Sequence, residues 1–251
     1  MIRTGVTGCA GRMGSLLVRE IQAGAEGLTL AGGTEKAGLP NAGFFVASDP
    51  VDLFARSDVI IDFTTPAATM AHVRLAERQQ KSLVIGTTGL GAAEEQEIRE
   101  AAKKCAIVYA ANMSIGVNLL LALIEQAAAK LGPEFDIEIA ETHHKHKKDA
   151  PSGTALALGK AAAKGRGIKL DEKPVADRNG ERKPGSIGFS VQRGGDVVGE
   201  HTLSFFGTGE RIALTHIASD RALFARGALK AARWVAGQKP GLYSMRDVLG
   251  I

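Results

Sequence analysis

The 251-residue sequence has few cysteines, few aromatic residues and no long uninterrupted apolar segment. Two cysteines are too few for a disulfide framework, which favours a cytoplasmic protein. The most apolar stretch, 117–131, is broken by Asn118, Glu125, Gln126 and Lys130 and is shorter than the ~20 apolar residues of a membrane span. The first residues also lack a basic and then apolar signal peptide. We therefore expect a cytoplasmic protein with no membrane partner.

Charge and aromatic content restrict the class of partner. Only 5% of the residues are aromatic, and none alternates with a basic run, which disfavours binding of single-stranded nucleic acid. The net charge of +4 is equally compatible with basic surface helices and with a site for an anionic small molecule. The 45% hydrophobic and 23% charged residues exclude disorder for the whole chain. We expect a small-molecule ligand and no nucleic-acid partner.

Strand-like and helix-like segments alternate over residues 2–112. The strands are apolar without a clean period of two, as in a parallel sheet that is covered on both faces. Each ends in Gly, Thr, Ser or Asn, at the edge where open α/β sheets bind ligands. Strands are predicted at 2–7, 28–34, 58–63, 82–85 and 106–110, with helices at 13–23, from 66 onwards and at 92–104.

The pattern changes after Asn112, which predicts a second domain. Turn signals separate the last three strand-like runs, so we expect these runs to be antiparallel neighbours. The predicted segments are a helix at 116–131, a strand at 135–142, a helix at 152–164, a surface loop at 165–186, strands at 187–193, 197–206 and 211–217, and a helix at 221–235.

A glycine-rich turn at residues 8–14 follows the first strand and opens the first helix. Its glycines let the backbone approach a pyrophosphate, and the helix N-terminus offers N–H groups to it, although the spacing is GxxGxxG rather than GxGxxG. Glu35, 24 residues after Gly11, can accept a hydrogen bond from the ribose 2′-hydroxyl of NAD, and Lys36 can meet a 2′-phosphate. We predict use of both NADH and NADPH; a structural loop with a solvated Glu–Lys pair is the alternative.

A histidine- and lysine-rich cluster lies at residues 141–154. Three of the six histidines fall within 143–146, among three lysines. A metal site is one interpretation, but neighbouring ammonium groups repel a cation. An anion site with a proton donor is the second, because lysines attract carboxylates and histidine supplies a proton near neutral pH. A solvated basic loop is the third.

The residues after this cluster favour the anion site. Pro151 is near a predicted helix start, and Ser152, Gly153 and Thr154 follow it. Hydroxyl groups and N–H groups at a helix start bind carboxylates, and glycine lets a ligand come close. We therefore predict a carboxylate-binding site and no metal.

With these motifs the chain resembles the dihydrodipicolinate reductase family over nearly its whole length. The histidine- and lysine-rich segment that runs into PSGTA is specific to that family, whereas the glycine turn alone is not. Met113 replaces an aromatic residue that is frequent there, and Lys148 adds a charge. The resemblance is carried by GVTGCAGRMG, DFTTP, GTTG, AANMSIGVN, ETHHKHKKDAPSGTA, GGDVVGEH and SDRALFARGA.

The resemblance implies a Rossmann-like parallel sheet domain and a second α+β domain with a mixed, largely antiparallel sheet. It assigns residues 1–114 to dinucleotide binding, 115–221 to substrate binding and tetramerisation, and 222–251 to helices that return to the first domain. A homotetramer is implied. The implied reaction uses NADH or NADPH to reduce the cyclic dicarboxylate made from aspartate semialdehyde and pyruvate to tetrahydrodipicolinate and water, in lysine and diaminopimelate biosynthesis.

The same resemblance implies roles for individual residues. His143 and Lys147 match proton donors. His144, Gly153 and Thr154 match groups that bind substrate carboxylates, and the Ser152 hydroxyl is expected to join them. The implied cofactor contacts are Gly8, Cys9, Ala10, Gly11, Arg12, Met13, Glu35, Lys36, Gly86, Thr87, Thr88, Ala110, Ala111, Asn112 and Met113.

Two other classes of protein are alternatives to this interpretation. A semialdehyde dehydrogenase needs a nucleophilic cysteine in a cleft, but Cys9 lies in the predicted phosphate turn and Cys105 at a helix end. We expect both cysteines to be packing residues. A DNA-binding NADH sensor needs a recognition helix, and the sequence has no winged-helix pattern.

Overall fold

The computed structural model describes residues 1–36, 42–170 and 180–251, so part of the predicted 165–186 loop lies outside the described residues. Two compact units are formed, one by Met1–Ile115 with Ala222–Ile251 and the other by Gly116–Arg221. In chain order the elements are β1 (Ile2–Thr7), α1 (Arg12–Gln22), β2 (Leu28–Thr34), β3 (Val46–Ala47), α2 (Pro50–Arg56), β4 (Val59–Asp62), α3 (Pro66–Gln79), β5 (Ser82–Ile85), α4 (Ala92–Ala101), β6 (Ala106–Tyr109), α5 (Ile115–Lys130), β7 (Asp136–His143), α6 (Gly153–Arg166), β8 (Ile187–Arg193), β9 (Gly199–Gly207), β10 (Glu210–Ala218), α7 (Ala222–Val235), β11 (Gly241–Tyr243) and α8 (Met245–Leu249).

The first unit contains a seven-stranded parallel sheet in the order β11-β6-β5-β4-β1-β2-β3. Val59 and Ile61 of β4 pack with helices α1 and α7, whereas Ile60 packs on the opposite face with α2, α3 and α4. Successive side chains of a strand point to opposite faces, so a strand covered on both faces is apolar throughout. This is why the sequence shows no period of two here.

Local sequence signals begin the helices that follow β3 and β4. The Asp49 carboxylate accepts a hydrogen bond from the Val51 amide at 2.9 Å, and Pro50 is the first residue of α2. The Thr65 hydroxyl accepts from the Ala68 amide at 3.4 Å, and Pro66 begins α3. Side-chain caps and a first-turn proline both favour a helix start at these positions.

The second unit contains a four-stranded sheet in the order β10-β9-β7-β8. Strand β9 is antiparallel to both β10 and β7, while β8 is parallel to β7. Helices α5 and α6 cover one face, where Ile124 and Leu158 pack against Phe189 and Phe205. The predicted fold class is therefore confirmed: a Rossmann-like parallel sheet and a second, mixed and largely antiparallel sheet.

The runs 187–193 and 197–206 are antiparallel in direction, as predicted, but they do not pair with each other. Strand β8 lies on the other side of β7, so these two runs are not hydrogen-bonded neighbours. The residues between them bond to the end of β7 and the segment after it instead: Gly194 N donates to His143 O at 2.9 Å, and His144 N donates to Val197 O at 2.8 Å. The turn signal thus marks a connection that holds the histidine- and lysine-rich segment.

Four short elements have no counterpart in the sequence analysis: β3, α2, β11 and α8. Strand β11 pairs in parallel with β6 at the edge of the first sheet. In the part of the chain that the structure describes, no helix has both the length and the apolar character needed to cross a membrane.

Candidate functional site

A cavity of about 410 Å³ lies at the carboxyl edge of the first sheet, beside the ends of β1, β2 and β4. Four predicted cofactor residues line it, namely Gly8, Gly11, Glu35 and Lys36. The other lining residues are not predicted from the sequence as ligand contacts. These are Thr34, Ser48, Pro50, Phe63, Thr64, Thr65, Ala68 and His72.

The glycine turn presents the start of α1 to this edge. The N-cap residue Gly11 makes no side-chain hydrogen bond to the helix, and the first turn contains no acidic residue. A Cβ atom on Gly14 would lie 2.1 Å from Gly8 O, so the turn and the helix can pack this closely only with glycine. The N–H groups and the positive end of the helix dipole suit an anion such as a phosphate.

Glu35 and Lys36 follow β2 and lie beside the turn. Glu35 Oε2 accepts a hydrogen bond from Ala10 N at 3.3 Å, and Oε1 accepts from Lys36 N at 3.2 Å. A carboxylate at the end of the second strand is the group that binds a ribose hydroxyl in dinucleotide-binding folds. The turn and the Glu35–Lys36 pair are therefore parts of one site.

A hydrogen-bonded cluster around the buried Asp62 carboxylate supports the cavity wall. Asp62 Oδ1 accepts from Thr64 N at 2.8 Å and from Thr64 Oγ1 at 2.6 Å, while Oδ2 lies 2.9 Å from His72 Nδ1. Burial alone would raise the pKa of Asp62, but the hydrogen bonds from His72 and Thr64 outweigh it and lower that pKa. The cluster fixes two cavity-lining side chains. DFTTP marks Thr64, whereas nothing in the sequence pattern marks His72.

The other predicted cofactor segments, 86–88 and 110–113, follow β5 and β6 at the same edge of the sheet, outside the cavity lining. Gly86 N donates to Asp62 O at 2.9 Å, and Thr69 Oγ1 donates to Thr87 Oγ1 at 2.8 Å. Met113 is only 1% exposed and packs in the core, so it lies beneath this edge rather than on it.

Both cysteines are buried packing residues. Burial raises the pKa of the Cys9 thiol, and it raises the pKa of Cys105 to about 11. A thiol must ionise to act as a nucleophile, so neither is suited to form a thioester near neutral pH. This disfavours the semialdehyde dehydrogenase alternative.

In the second unit, His143 is the last residue of β7 and lies against a buried carboxylate. Its Nδ1 atom is 2.5 Å from Glu141 Oε2, and the two side chains are 10% and 1% exposed. Glu141 also accepts hydrogen bonds from Arg193 at 2.8 and 2.9 Å and from Ser152 N at 2.9 Å. Neither Glu141 nor Arg193 is predicted from the sequence as a functional residue.

Glu141 is held as a carboxylate. Burial would raise its pKa, but hydrogen bonds from Arg193, His143 and the Ser152 amide outweigh burial and lower the pKa below its ordinary value. His201 packs edge-on against His143 with ring centroids 5.0 Å apart. Burial, followed by the nearby His143, lowers the pKa of His201 to about 4, so its ring is neutral near neutral pH.

The segment after His143 brings the other predicted basic residues together. Lys147 N donates to His144 O at 3.1 Å, and Lys147 Nζ lies 2.9 Å from Asp149 Oδ1. Desolvation, followed by the positive charge of Arg221, lowers the pKa of His144. His143, His144 and Lys147 therefore occupy one compact basic region.

Helix α6 begins beside this region. The Ser152 hydroxyl accepts from Ala155 N at 3.1 Å and lies 2.9 Å from His201 Nε2, and the residue is 1% exposed. The Ser152 hydroxyl therefore acts as a buried helix cap, and its predicted contact with the substrate stays a prediction. Gly153 is exposed, and the space beside it is open. Among the described residues no group of three His, Cys, Asp or Glu side chains is arranged to hold a metal ion.

The parallel sheet, the glycine turn and the cavity beside Glu35 define a dinucleotide-binding protein of the Rossmann type. The chain belongs to the dihydrodipicolinate reductase family. A family model described as dihydrodipicolinate reductase, N-terminus, matches residues 2–113, and one described as dihydrodipicolinate reductase, C-terminus, matches residues 116–249. The resemblance carried by the sequence motifs is thereby confirmed, and with it an oxidoreductase that uses NADH or NADPH.

Relatives match over the full length. A protein of Brucella abortus named 4-hydroxy-tetrahydrodipicolinate reductase is 49% identical, with 98% of each chain covered. A Parvibaculum lavamentivorans protein of the same name is 51% identical and covers 100% of this chain and 98% of its own. The dipicolinate-bound dihydrodipicolinate reductase from Paenisporosarcina sp. TG-14 superimposes with a TM-score of 0.81 at 26% identity, with 97% of each chain covered.

Proposed function

We propose that this protein reduces 4-hydroxy-tetrahydrodipicolinate to tetrahydrodipicolinate with loss of water, using NADH or NADPH, in lysine and diaminopimelate biosynthesis. The observation that carries the proposal is the compact basic region of the second unit. It combines a histidine on a buried carboxylate with His144, Lys147 and the start of α6. A cyclic dicarboxylate needs both anion-binding groups and proton donors.

The residues of the first unit fit a nicotinamide dinucleotide. Residues 8–13 would hold the pyrophosphate, Glu35 the ribose hydroxyls and Lys36 a 2′-phosphate. The fit rests on the close packing of Gly14 against the turn and on a cavity of about 410 Å³ that Glu35 and Lys36 help to line. Segments 86–88 and 110–112 would complete the site along the same edge. When bound, the cofactor supplies a hydride.

The second unit binds and protonates the substrate. Gly153 and Thr154, the first two residues of α6, and His144 bind a carboxylate, which the positive end of the helix dipole also attracts. His143 and Lys147 supply protons and neutralise the charge that develops on the substrate ring. Ser152 holds the helix start in place through its cap.

We also propose that the protein is a cytoplasmic homotetramer. Support for subunit contacts comes from the face of the second sheet opposite α5 and α6, where Phe206 of β9 is 38% exposed and Ile217 of β10 is 62% exposed. Large apolar side chains left exposed on such a face favour contact with another subunit. Light scattering coupled to size-exclusion chromatography measures the mass, and a monomer would contradict this proposal.

The activity is tested with purified protein and freshly condensed aspartate semialdehyde and pyruvate. Oxidation of NADH and of NADPH is followed by the absorbance of the reduced nicotinamide. We expect turnover with both cofactors and none when either precursor is omitted. No oxidation with the complete mixture would refute the proposed reaction.

A further inference from the structure

The Glu141 carboxylate joins three elements of the second unit. Its Oε1 atom accepts from Ser152 N, just before α6, and from Arg193 Nη2, each at 2.9 Å. Its Oε2 atom accepts from Arg193 Nη1 of β8 at 2.8 Å and is 2.5 Å from Nδ1 of His143, its neighbour on β7. Each oxygen therefore receives two hydrogen bonds, and the side chain is held from every side.

This arrangement decides which nitrogen of His143 carries the proton when the ring is neutral. An ionised carboxylate only accepts hydrogen bonds, so the nitrogen that faces it must be Nδ1–H. The Nε2 atom is then the one that gains and loses a proton. Arg193 keeps Glu141 in its acceptor form, because a paired guanidinium stabilises the carboxylate.

The Nε2 atom of His143 faces the backbone of Gly199. A Cβ atom on residue 199 would lie 2.9 Å from His143 Nε2, so only glycine leaves room for this nitrogen there. The charged and titratable groups near the His143 ring come from several elements: Glu141 on β7, Arg193 on β8, His201 on β9, and His144 and Lys147 in the segment after β7.

We infer that Glu141 is a positioning residue that fixes His143 as the Nδ1–H tautomer and so makes Nε2 the atom that exchanges a proton with the substrate. The same carboxylate holds Ser152 N and therefore ties the proton donor to the start of the carboxylate-binding helix. The catalytic part of this inference rests on the proposed function; the tautomer does not.

The tautomer is tested in the free protein by nitrogen NMR of isotopically labelled histidine. The His143 signals are assigned by their loss in His143→Gln. We expect Nδ1–H in the wild type and a shift of the population toward Nε2–H in Glu141→Gln, because an amide cannot accept four hydrogen bonds. Glu138→Gln, on the same strand as Glu141, is the matched control. It removes the carboxylate that accepts a hydrogen bond from Arg182 Nε at 3.0 Å and should leave the His143 tautomer unchanged. An unchanged tautomer in Glu141→Gln would overturn the inference.

Kinetics test the consequence for the reaction. We expect kcat of Glu141→Gln to fall about 10- to 100-fold, a part of what a general acid contributes, with a smaller change in the substrate KM. Glu141→Asp restores part of kcat, and Glu138→Gln keeps the wild-type kcat and KM. A shifted tautomer with unchanged kcat would refute the catalytic part. Inactive wild-type protein would instead refute the proposed reaction.

Discussion

The two proposed proton donors are each paired with a carboxylate, but the pairs differ in burial. The His143–Glu141 pair is almost fully buried, whereas Asp149 beside Lys147 is 60% exposed. The hydrogen bond from Lys147 lowers the pKa of Asp149, which keeps Asp149 a carboxylate near neutral pH. An exposed ion pair contributes little stability and exchanges partners easily. Lys147 can therefore turn from Asp149 to a substrate anion, while His143 stays on Glu141.

Removing either donor should affect the chemical step. Loss of a general acid costs about 100- to 10,000-fold in rate, so we expect kcat of His143→Ala and of Lys147→Ala to fall by that order. The affinity for NADH, measured by fluorescence without substrate, should not change. Lys148→Ala, which removes an adjacent exposed lysine, is the control and should keep the wild-type kcat. Near-normal kcat in His143→Ala and Lys147→Ala would contradict the assigned roles.

The Glu35–Lys36 pair should determine how the two cofactors are distinguished. Lys36 lines the cavity beside Glu35, where a cation can meet the 2′-phosphate that only NADPH carries. We expect Lys36→Ala to raise the KM for NADPH more than the KM for NADH. Steady-state kinetics with each cofactor measures this, with the exposed Lys103→Ala as the control. Equal effects on both cofactors would count against the assignment.

Sequence motifs predict contacts between residues that are close along the chain better than contacts between residues that are far apart along it. Gly8, Gly11, Glu35 and Lys36 line one cavity, because a strand, a turn and a helix place them within a short segment of chain. Glu141 is the first residue of the histidine- and lysine-rich cluster, yet its environment depends on Arg193, 52 residues later. No local pattern records such a contact.

At the scale of elements, the spacing of apolar residues predicts the central strands but not all of the strands with which they pair. Alternation of strands and helices indicated the parallel sheet, since each apolar strand is buried on both faces. The position of β8 was missed, because the choice between β7 and β9 as its neighbour depends on long-range pairing. Strands as short as β3 and β11, with two and three residues, are too short to show a period.

The Asp62 cluster should be a stability element of the first sheet. The Asp62 side chain is fully buried. Asp62→Ala therefore leaves His72 Nδ1 and the amide and hydroxyl of Thr64 without their acceptor. A buried donor left without its acceptor costs about 1 to 3 kcal/mol, so we expect a loss of that order in the free energy of unfolding.

Chemical denaturation measures this loss, and Asp58→Ala provides the matched control. Asp58 also forms a carboxylate pair, with Arg3, but both side chains are exposed, at 39% and 54%. Exposed ion pairs contribute little to stability, so the control should be far less destabilised. Similar losses in the two variants would show that the buried cluster has no special role.

For the whole molecule, burial of ionisable groups makes stability depend on pH. In both units a buried carboxylate is held ionised, Asp62 in the first and Glu141 in the second. A carboxyl group whose folded pKa is lowered stabilises the fold above its unfolded pKa, and this contribution is lost as the pH falls through the folded value. Both units should therefore lose stability in acid.

His201 should extend this loss in the second unit to milder acid. Its pKa is lowered from 6.5 to about 4, so the folded protein holds it neutral while the unfolded chain protonates it. Its contribution to stability is full above pH 6.5 and is lost as the pH falls toward about 4. That depression corresponds to about 3 kcal/mol.

In His201→Gln this part of the pH dependence should disappear, because glutamine does not titrate but can still hydrogen-bond Ser152. Chemical denaturation near neutral pH and near pH 4 measures it, with the exposed His146→Gln as the control. An unchanged pH dependence in His201→Gln would show that His201 is not the group that destabilises the fold in mild acid.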